Sequence, residues 1–413
     1  MRDWPVERLG DLVDASRGIS YGIVQPGEHQ SDGVPIVRVS DLRGDRVETR
    51  KPLRVARSIE ATHARTRLRG GELIMSIVGT VGQTAIVDSS LEGWNVARAV
   101  AVIPVRQDIG PYWIRLALKG GPARSHIQDR LNTTVQATLN LRDLASLPIV
   151  LPPILERQAI AATLGALDDK IELNRKMNET LEAMTRALFR DWFVDFGPTR
   201  AKMEGRPAYL SEDLWSLFPE KLDETTSLPE GWVLRPVGDF AELKGGKQLA
   251  KECITSTGAI PVFGGAGVMG FTDEYNADGF VISVGRVGAY CGQFFSYRGR
   301  AWINNNASLI RTLQDVPGEW LFQALRHADI DVIKKGAAQP FVSNTDVANL
   351  PLVWASGDTV DRFAEYVVPL MLKMEQNDDE DSALAETRDY LLPKLMSGKI
   401  RVRDAEKLAG EAT

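Results

Sequence analysis

Ile160-Ala-Ala-Thr-Leu164-Gly-Ala-Leu167-Asp-Asp-Lys-Ile171-Glu-Leu-Asn174 is matched, 203 residues later, by Phe363-Ala-Glu-Tyr-Val367-Val-Pro-Leu370-Met-Leu-Lys-Met374-Glu-Gln-Asn377. The match runs on without a gap, from Leu181 and Leu188 to Leu384 and Leu391. Apolar residues recur at spacings of three and four, the period of one helix face, and Met184 extends the first stripe. Pro152-Pro153 sets the start, because proline is tolerated in a first helical turn and disfavours helix before it. From Ile154 to Phe193 only Gly165 breaks the absence of Gly and Pro. About 40 residues at roughly 1.5 Å each give about 60 Å of helix, against an average of about 11–12 residues. A narrow stripe on so long a helix needs a partner, and Val360–Met396 supplies it. The expected seam is Ile160, Leu164, Leu167, Ile171, Asn174, Leu181 and Leu188 against Phe363, Val367, Leu370, Met374, Asn377, Leu384 and Leu391. A polar residue there costs stability but can fix register and partner. The alternative places Asn174 at the solvent edge of a wider stripe.

The repeat extends outward from the helices. Trp4, Gly10 and Asp11 match Trp232, Gly238 and Asp239. Gly79 and Gly82 match Gly285 and Gly288; Gln136, Asp143 and Leu147-Pro148 match Gln339, Asp346 and Leu350-Pro351. Each half therefore reads as a strand-rich module followed by a long helix, and the class is α+β. Short apolar runs at Val34–Val39, Glu72–Val78, Ala99–Val105, Ile260–Phe263 and Gly279–Val284 predict strands. Short helices are expected at Tyr112–Lys119 and Gly318–Ala328. The division is a module over 1–151, a helix over 152–196, a connector over 197–230 with little core of its own, a second module over 231–355, and a helix with tail over 356–413.

With 44% hydrophobic and 25% charged residues, the composition is that of a globular chain large enough for two cores. The start has no apolar leader and no apolar run reaches 18 residues, so the reading is cytoplasmic, with no membrane span. Cys253 and Cys291 show no metal-type spacing and predict no disulfide. The net charge of −6 is unevenly spread. From Gly33 to Gly70 ten Lys and Arg face only Asp41, Asp45, Glu48 and Glu60, a basic window that is either a solvated face or a polyanion footprint.

Signs of catalysis are missing. Gly265-Ala-Gly267-Val-Met-Gly270 has the spacing of a dinucleotide loop, but turn-like residues follow instead of a phosphate-holding helix. Asp239, Glu242 and Lys244 superficially resemble a nuclease cluster; the first half lacks the lysine at Val13–Ser16, and the segment reads as a surface turn. There is no Asn-Pro-Pro-Tyr or Walker A motif, and the four histidines lie scattered without ligand spacing. The expectation is no catalytic residue, no bound metal and no cofactor in this chain.

Pro152-Pro-Ile-Leu-Glu-Arg-Gln158-Ala-Ile-Ala and Leu167-Asp-Asp-Lys-Ile-Glu-Leu-Asn174-Arg resemble the long helix of type I restriction–modification specificity subunits. Leu188-Phe-Arg-Asp-Trp-Phe-Val-Asp-Phe-Gly-Pro198, Ala201-Lys-Met-Glu-Gly205, Leu217-Phe-Pro219 and Pro229-Glu-Gly-Trp232 are similar to that family's central connector, in order. The resemblance implies a non-catalytic reader of double-stranded DNA. Two target recognition domains would each read half of a bipartite, asymmetric site, separated by two long antiparallel paired helices. It implies docking of two modification (methyltransferase) subunits for adenine methylation and, where a system has them, two restriction/translocase subunits. S-adenosylmethionine, ATP and magnesium would belong to those partners.

DNA contacts should be polar, exposed and in loops, since base edges are read by hydrogen bonds in the grooves. In the first module the candidates are Arg17, Tyr21, Arg38, Thr80, Gln83 and Arg98. In the second they are Lys244, Lys247, Gln248, Arg286, Asn305, Lys334, Lys335 and Gln339. The matched glycine pairs either let backbone approach a phosphate or make a tight strand turn.

Overall fold

The computed structural model describes residues 4–131, 137–313, 315–336 and 339–410. The first module contains β1 (Val6–Arg8), β2 (Ser20–Tyr21), β3 (Val34–Val37), β4 (Leu42–Arg43), β5 (Arg46–Val47), β6 (Leu53–Val55) and α1 (Arg57–Ala61). It continues with β7 (Leu73–Ser76), β8 (Thr84–Ile86), β9 (Asn95–Val96), β10 (Val100–Ile103), α2 (Pro111–Lys119), α3 (Gly121–Leu131), α4 (Leu141–Ala145) and β11 (Pro148–Val150). The long helix α5 (Ile154–Phe193) follows, and the connector carries α6 (Gly197–Met203) and α7 (Glu212–Trp215). The second module holds β12 (Val233–Pro236), β13 (Ala241–Gly245), β14 (Ile260–Gly264), β15 (Gly267–Thr272), β16 (Phe280–Gly285) and β17 (Phe294–Arg298). It closes with β18 (Trp302–Ile303), β19 (Ala307–Thr312), α8 (Gly318–His327), α9 (Asn344–Ala348) and β20 (Pro351–Trp354); α10 (Gly357–Met396) and α11 (Val402–Gly410) end the chain. The chain forms two compact units, residues 1–174 with 378–413, and residues 175–377. No helix among the described residues is long and apolar enough to cross a membrane.

The duplication holds strand by strand outside the hairpin β4–β5. The first unit has a sheet ordered β2-β10-β7-β8, the second β13-β19-β16-β17. A second sheet is ordered β6-β3-β9 in one and β15-β14-β18 in the other, each with one antiparallel and one parallel pairing. The ribbons β1–β11 and β12–β20 close the two modules. The predicted strands and short helices stand in place within a few residues. Glu242 and Lys244 do not form the expected turn. They lie two apart on β13, hence on one face, and pair at 2.9 Å.

Within each unit a long-helix segment pairs antiparallel with a segment of the other long helix. In the first, Asn174 meets Glu380 and Asp381, and Asp168 meets Arg388. In the second, Asn178 meets Asn377, and Phe189 meets Phe363. Ile160, Leu164, Leu167, Phe363, Val367, Leu384 and Leu391 are buried, and burying each such side chain stabilises by about 1.5–3 kcal/mol. Ile171, Leu181, Leu188, Leu370 and Met374 are half-buried. Met184 is exposed, which corrects its place in the stripe; the helix turns Phe189, Trp192 and Phe193 inward instead. The connector has no separate core, but Leu214, Phe218 and Leu228 pack with Trp192, Phe193 and Trp232 in the core of the second unit.

Asn174 is buried rather than at a solvent edge. Its Nδ2 donates to Glu380 Oε2 at 2.7 Å and Asp381 Oδ1 at 2.9 Å. In the second unit Asn377 Nδ2 donates to Asn178 Oδ1 at 2.7 Å, and Asn178 is the repeat counterpart of Asp381. The two clasps are the same contact made twice, with a carboxylate in one and an amide in the other. Six residues farther along, Asp168 with Arg388 in the first unit corresponds to Met371 with Thr185 in the second, all four at least largely buried.

Burial raises the Asp381 carboxyl above its usual range, and Glu380 adds to this, despite the Asn174 donor and Lys170. A carboxyl raised by folding contributes stability below its unfolded value, near about 3.9, and loses it as pH climbs through the raised one. Asp381→Asn keeps an acceptor for Asn174 and removes the charge. It should raise the thermal midpoint at pH 7 by roughly 1–3 °C and flatten the loss of stability as pH rises above about 3.9. A lower midpoint at pH 7 would show that the charge itself holds the clasp.

Candidate nucleic-acid interface

Four loops gather at one edge of each module. In the first, Ile23 N donates to Val96 O at 2.8 Å, Ile77 N to Ala99 O at 2.8 Å, and Gly79 N to Ala137 O at 3.0 Å. The second repeats these bonds as Lys247 N to Ile303 O at 2.9 Å, Arg286 N to Asn306 O at 3.0 Å, and Gly288 N to Pro340 O at 2.9 Å. Bridges Val78–Thr138 and Val287–Phe341 match as well. Obligatory backbone pairing thus fixes one loop arrangement twice while leaving side chains free to differ.

These bonds correct the glycine alignment. Gly79 corresponds to Gly288 and not to Gly285; both have positive φ, 78° and 80°, and a side chain at either would meet open space. Positive φ suits glycine, so the motif is a strand turn. Gly265 and Ala266 likewise link β14 to β15, so the glycine-rich string is a hairpin with no helix after it. Gln136 lies outside the described residues.

Gly22 and Gly246 sit where the loops cross. A Cβ on Gly22 would come 1.8 Å from Val96 O, and one on Gly246 2.1 Å from Asn304 O. Only glycine leaves room for this backbone approach.

The structure brings most candidates onto these loops. Thr80 is exposed and Gln83 half-buried on the β7–β8 turn. Arg98 is exposed between β9 and β10, and Tyr21 is exposed on β2. In the second unit Lys247, Gln248 and Asn305 are exposed neighbours, with Asn305 Nδ2 3.5 Å from Gln248 Oε1. Gln339 is exposed two residues before Phe341. Arg286 is half-buried, and its Nε has no hydrogen-bond partner among the described residues. Arg98 and Asn305 occupy the same place in the two frames, two residues beyond matched positions Val96 and Ile303.

The other candidates are paired with carboxylates. Arg17 is folded inward, donating to Glu72 at 2.6 Å and to Arg67 O at 3.0 Å. Arg38 grips Asp41 through Nε at 2.9 Å and Nη2 at 2.8 Å, which raises its already high pKa. Lys335 meets both oxygens of Asp346, at 2.8 and 2.9 Å, and with Ser343 holds that carboxyl below the usual range. Lys334 pairs with Asp331 at 2.6 Å. Lys244 pairs with Glu242, whose carboxyl it lowers. Exposed Val268, Met269, Val287 and Phe341 on the second face were missed, because lone apolar residues in polar loops look like core in a sequence. Among the described residues no cluster of three or more His, Cys, Asp or Glu could hold a metal ion.

The sequence model of the family described as type I restriction modification DNA specificity domain matches residues 1–183 and 229–353. The chain belongs to this family. As a type I specificity subunit it is a non-catalytic DNA-recognition component. The specificity subunit is 23% identical to the type I restriction enzyme MjaIX specificity subunit of Methanocaldococcus jannaschii, over 98% of this chain and 95% of that one. It is 30% identical to the EcoBI specificity subunit of Escherichia coli over 43% of this chain, which is 38% of that relative's length. The crystal structure of the type I system S subunit from M. genitalium shares its fold, with a TM-score of 0.55, 18% identity and coverage of 95% and 96%.

Proposed function

We propose that this specificity subunit reads a bipartite, asymmetric site in double-stranded DNA, one half with each loop face. Two modification (methyltransferase) subunits dock on it, supply S-adenosylmethionine chemistry and methylate adenine in that site. Where the system has them, two restriction/translocase subunits add ATP- and magnesium-dependent restriction. The complex works in the cytoplasm. The observation that carries this reading is that one backbone frame, built twice, presents different side chains at matched loop positions. Two unlike faces suit two unlike half-sites.

Arg98 and Asn305 illustrate it. An arginine fork matches the O6 and N7 acceptors of guanine, and an asparagine amide matches the N6 and N7 groups of adenine. Apolar Val287 and Phe341 suit thymine methyl groups. Arg98→Ala should relax the choice of one base pair in one half-site by about 1–3 kcal/mol, and Asn305→Ala one in the other half. Sequencing the methylated sites of cells carrying each variant tests this, alongside a methylation assay on the purified chain. Methyl transfer by the chain alone, at the rate of the assembled complex, would overturn the division of labour. Both half-sites changing together would overturn the assignment of one face to each half.

A further inference from the structure

The two modules differ most at one place in their shared frame. In the second unit β14 turns directly into β15 through Gly265 and Ala266. In the first, the equivalent strands β3 and β6 are joined by residues 38–52, which fold the small hairpin β4–β5. That insertion brings Arg38, Arg50 and Lys51 beside Arg54 and His29 to line an open groove of about 620 Å³.

The lining is cationic and largely preorganised. Arg54 Nη1 is anchored on Gly33 O at 3.0 Å, and Arg38 is held by Asp41. The His29 ring accepts the Arg54 amide at Nδ1, 3.3 Å away, which leaves Nε2–H as its donor. Arg50 is 76% exposed and sits 3.7 Å from Glu48. Lys51 is exposed, and no carboxylate pairs with it among the described residues. Every side chain with a polar group on the lining offers hydrogen-bond donors. Each base pair presents donors and acceptors together in the major groove, whereas phosphodiester oxygens only accept.

We propose that this groove binds the phosphodiester backbone of DNA, giving the first unit a sequence-independent grip that the second unit lacks. This rests on the DNA-reading function above. An open cleft suits a chain of phosphates rather than a single enclosed anion, and a cationic lining that offers donors suits a ligand whose phosphates vary little with sequence.

The test uses the full chain assembled with its modification subunits. The double variant Arg50→Ala, Lys51→Ala is compared with wild type on a target duplex and on a random-sequence duplex over a range of salt. Each phosphate contact adds about 0.9 to the slope of log affinity against log salt. The variant should lose about two units of slope on both duplexes, so that between about 50 and 200 mM salt wild-type affinity falls roughly tenfold further than the variant's. The preferred sequence should stay the same, and Arg50→Lys, Lys51→Arg should keep the slope. An unchanged slope on both duplexes, or an altered preferred sequence, would overturn the groove as a backbone site. Absence of any wild-type preference for the target duplex would count against the reading function instead, while the random duplex still tests the groove. Both substituted side chains are exposed, so an unchanged thermal midpoint certifies the fold.

Discussion

Asp168→Ala should destabilise the first unit by about 3–5 kcal/mol. Asp168 is 16% exposed and accepts from Tyr112 Oη at 2.9 Å, Arg388 Nη1 at 2.8 Å, and Arg115 Nη2. It therefore ties α2 to both long-helix segments of that unit. Arg115, with 9% of its side chain exposed, already has an Nε without a partner among the described residues. Removing the carboxylate strips Arg115 of this acid partner in a mostly dry seam, while Arg388 keeps Asp389 at 2.8 Å, and an uncompensated buried charge costs far more than the pair contributed. Urea denaturation of the chain should show the first unit unfolding earlier, with a thermal midpoint lower by roughly 10 °C. Asp168→Asn should fall in between, since it keeps an acceptor but loses the charge. A change below about 1 kcal/mol for the alanine variant would mean that solvent reaches the arginines and the network is a surface one.

The second large effect concerns reading. Gly22→Ala and Gly246→Ala each force a methyl group into a backbone carbonyl, and neither neighbour is a flexible side chain that could swing away. Each substitution should spread one loop face and leave the other intact. With Gly22→Ala, scrambling one half-site should no longer weaken binding, while scrambling the other should cost as before. Each mismatched base pair typically costs about 1–3 kcal/mol, so the lost discrimination should be at least about 100-fold. Gly246→Ala should give the reciprocal pattern. Competition binding by the assembled complex against duplexes with either half scrambled decides it. Loss of both halves in one variant would mean that the loop crossings support assembly rather than reading.

The helices were legible from sequence because their 203-residue repeat has no gap and every third or fourth residue tests it. The modules were legible only as frames. Gly79 was matched three residues off, because an apolar strand ending in Gly-x-x-Gly looks alike in two registers, and only the bonds from Gly79 to Ala137 and Gly288 to Pro340 separate them. Most loop candidates landed on the faces, because polar residues beside turn glycines are seldom core. Arg17 did not, since nothing local to it announces Glu72, 55 residues away. The basic window was visible as charge, but its groove depends on where β3 and β6 pair.

The asymmetry inside the helix seam bears on which chains can pair. Asp168 finds Arg388 on the second helix. At the corresponding point the first helix offers Thr185, which has no positive charge. Were two copies of the chain to exchange helices, first against first, each Asp168 would face a threonine. Second against second would set Arg388 against Met371. A symmetric seam would tolerate such swaps; this one disfavours both, and so favours pairing of a first helix with a second.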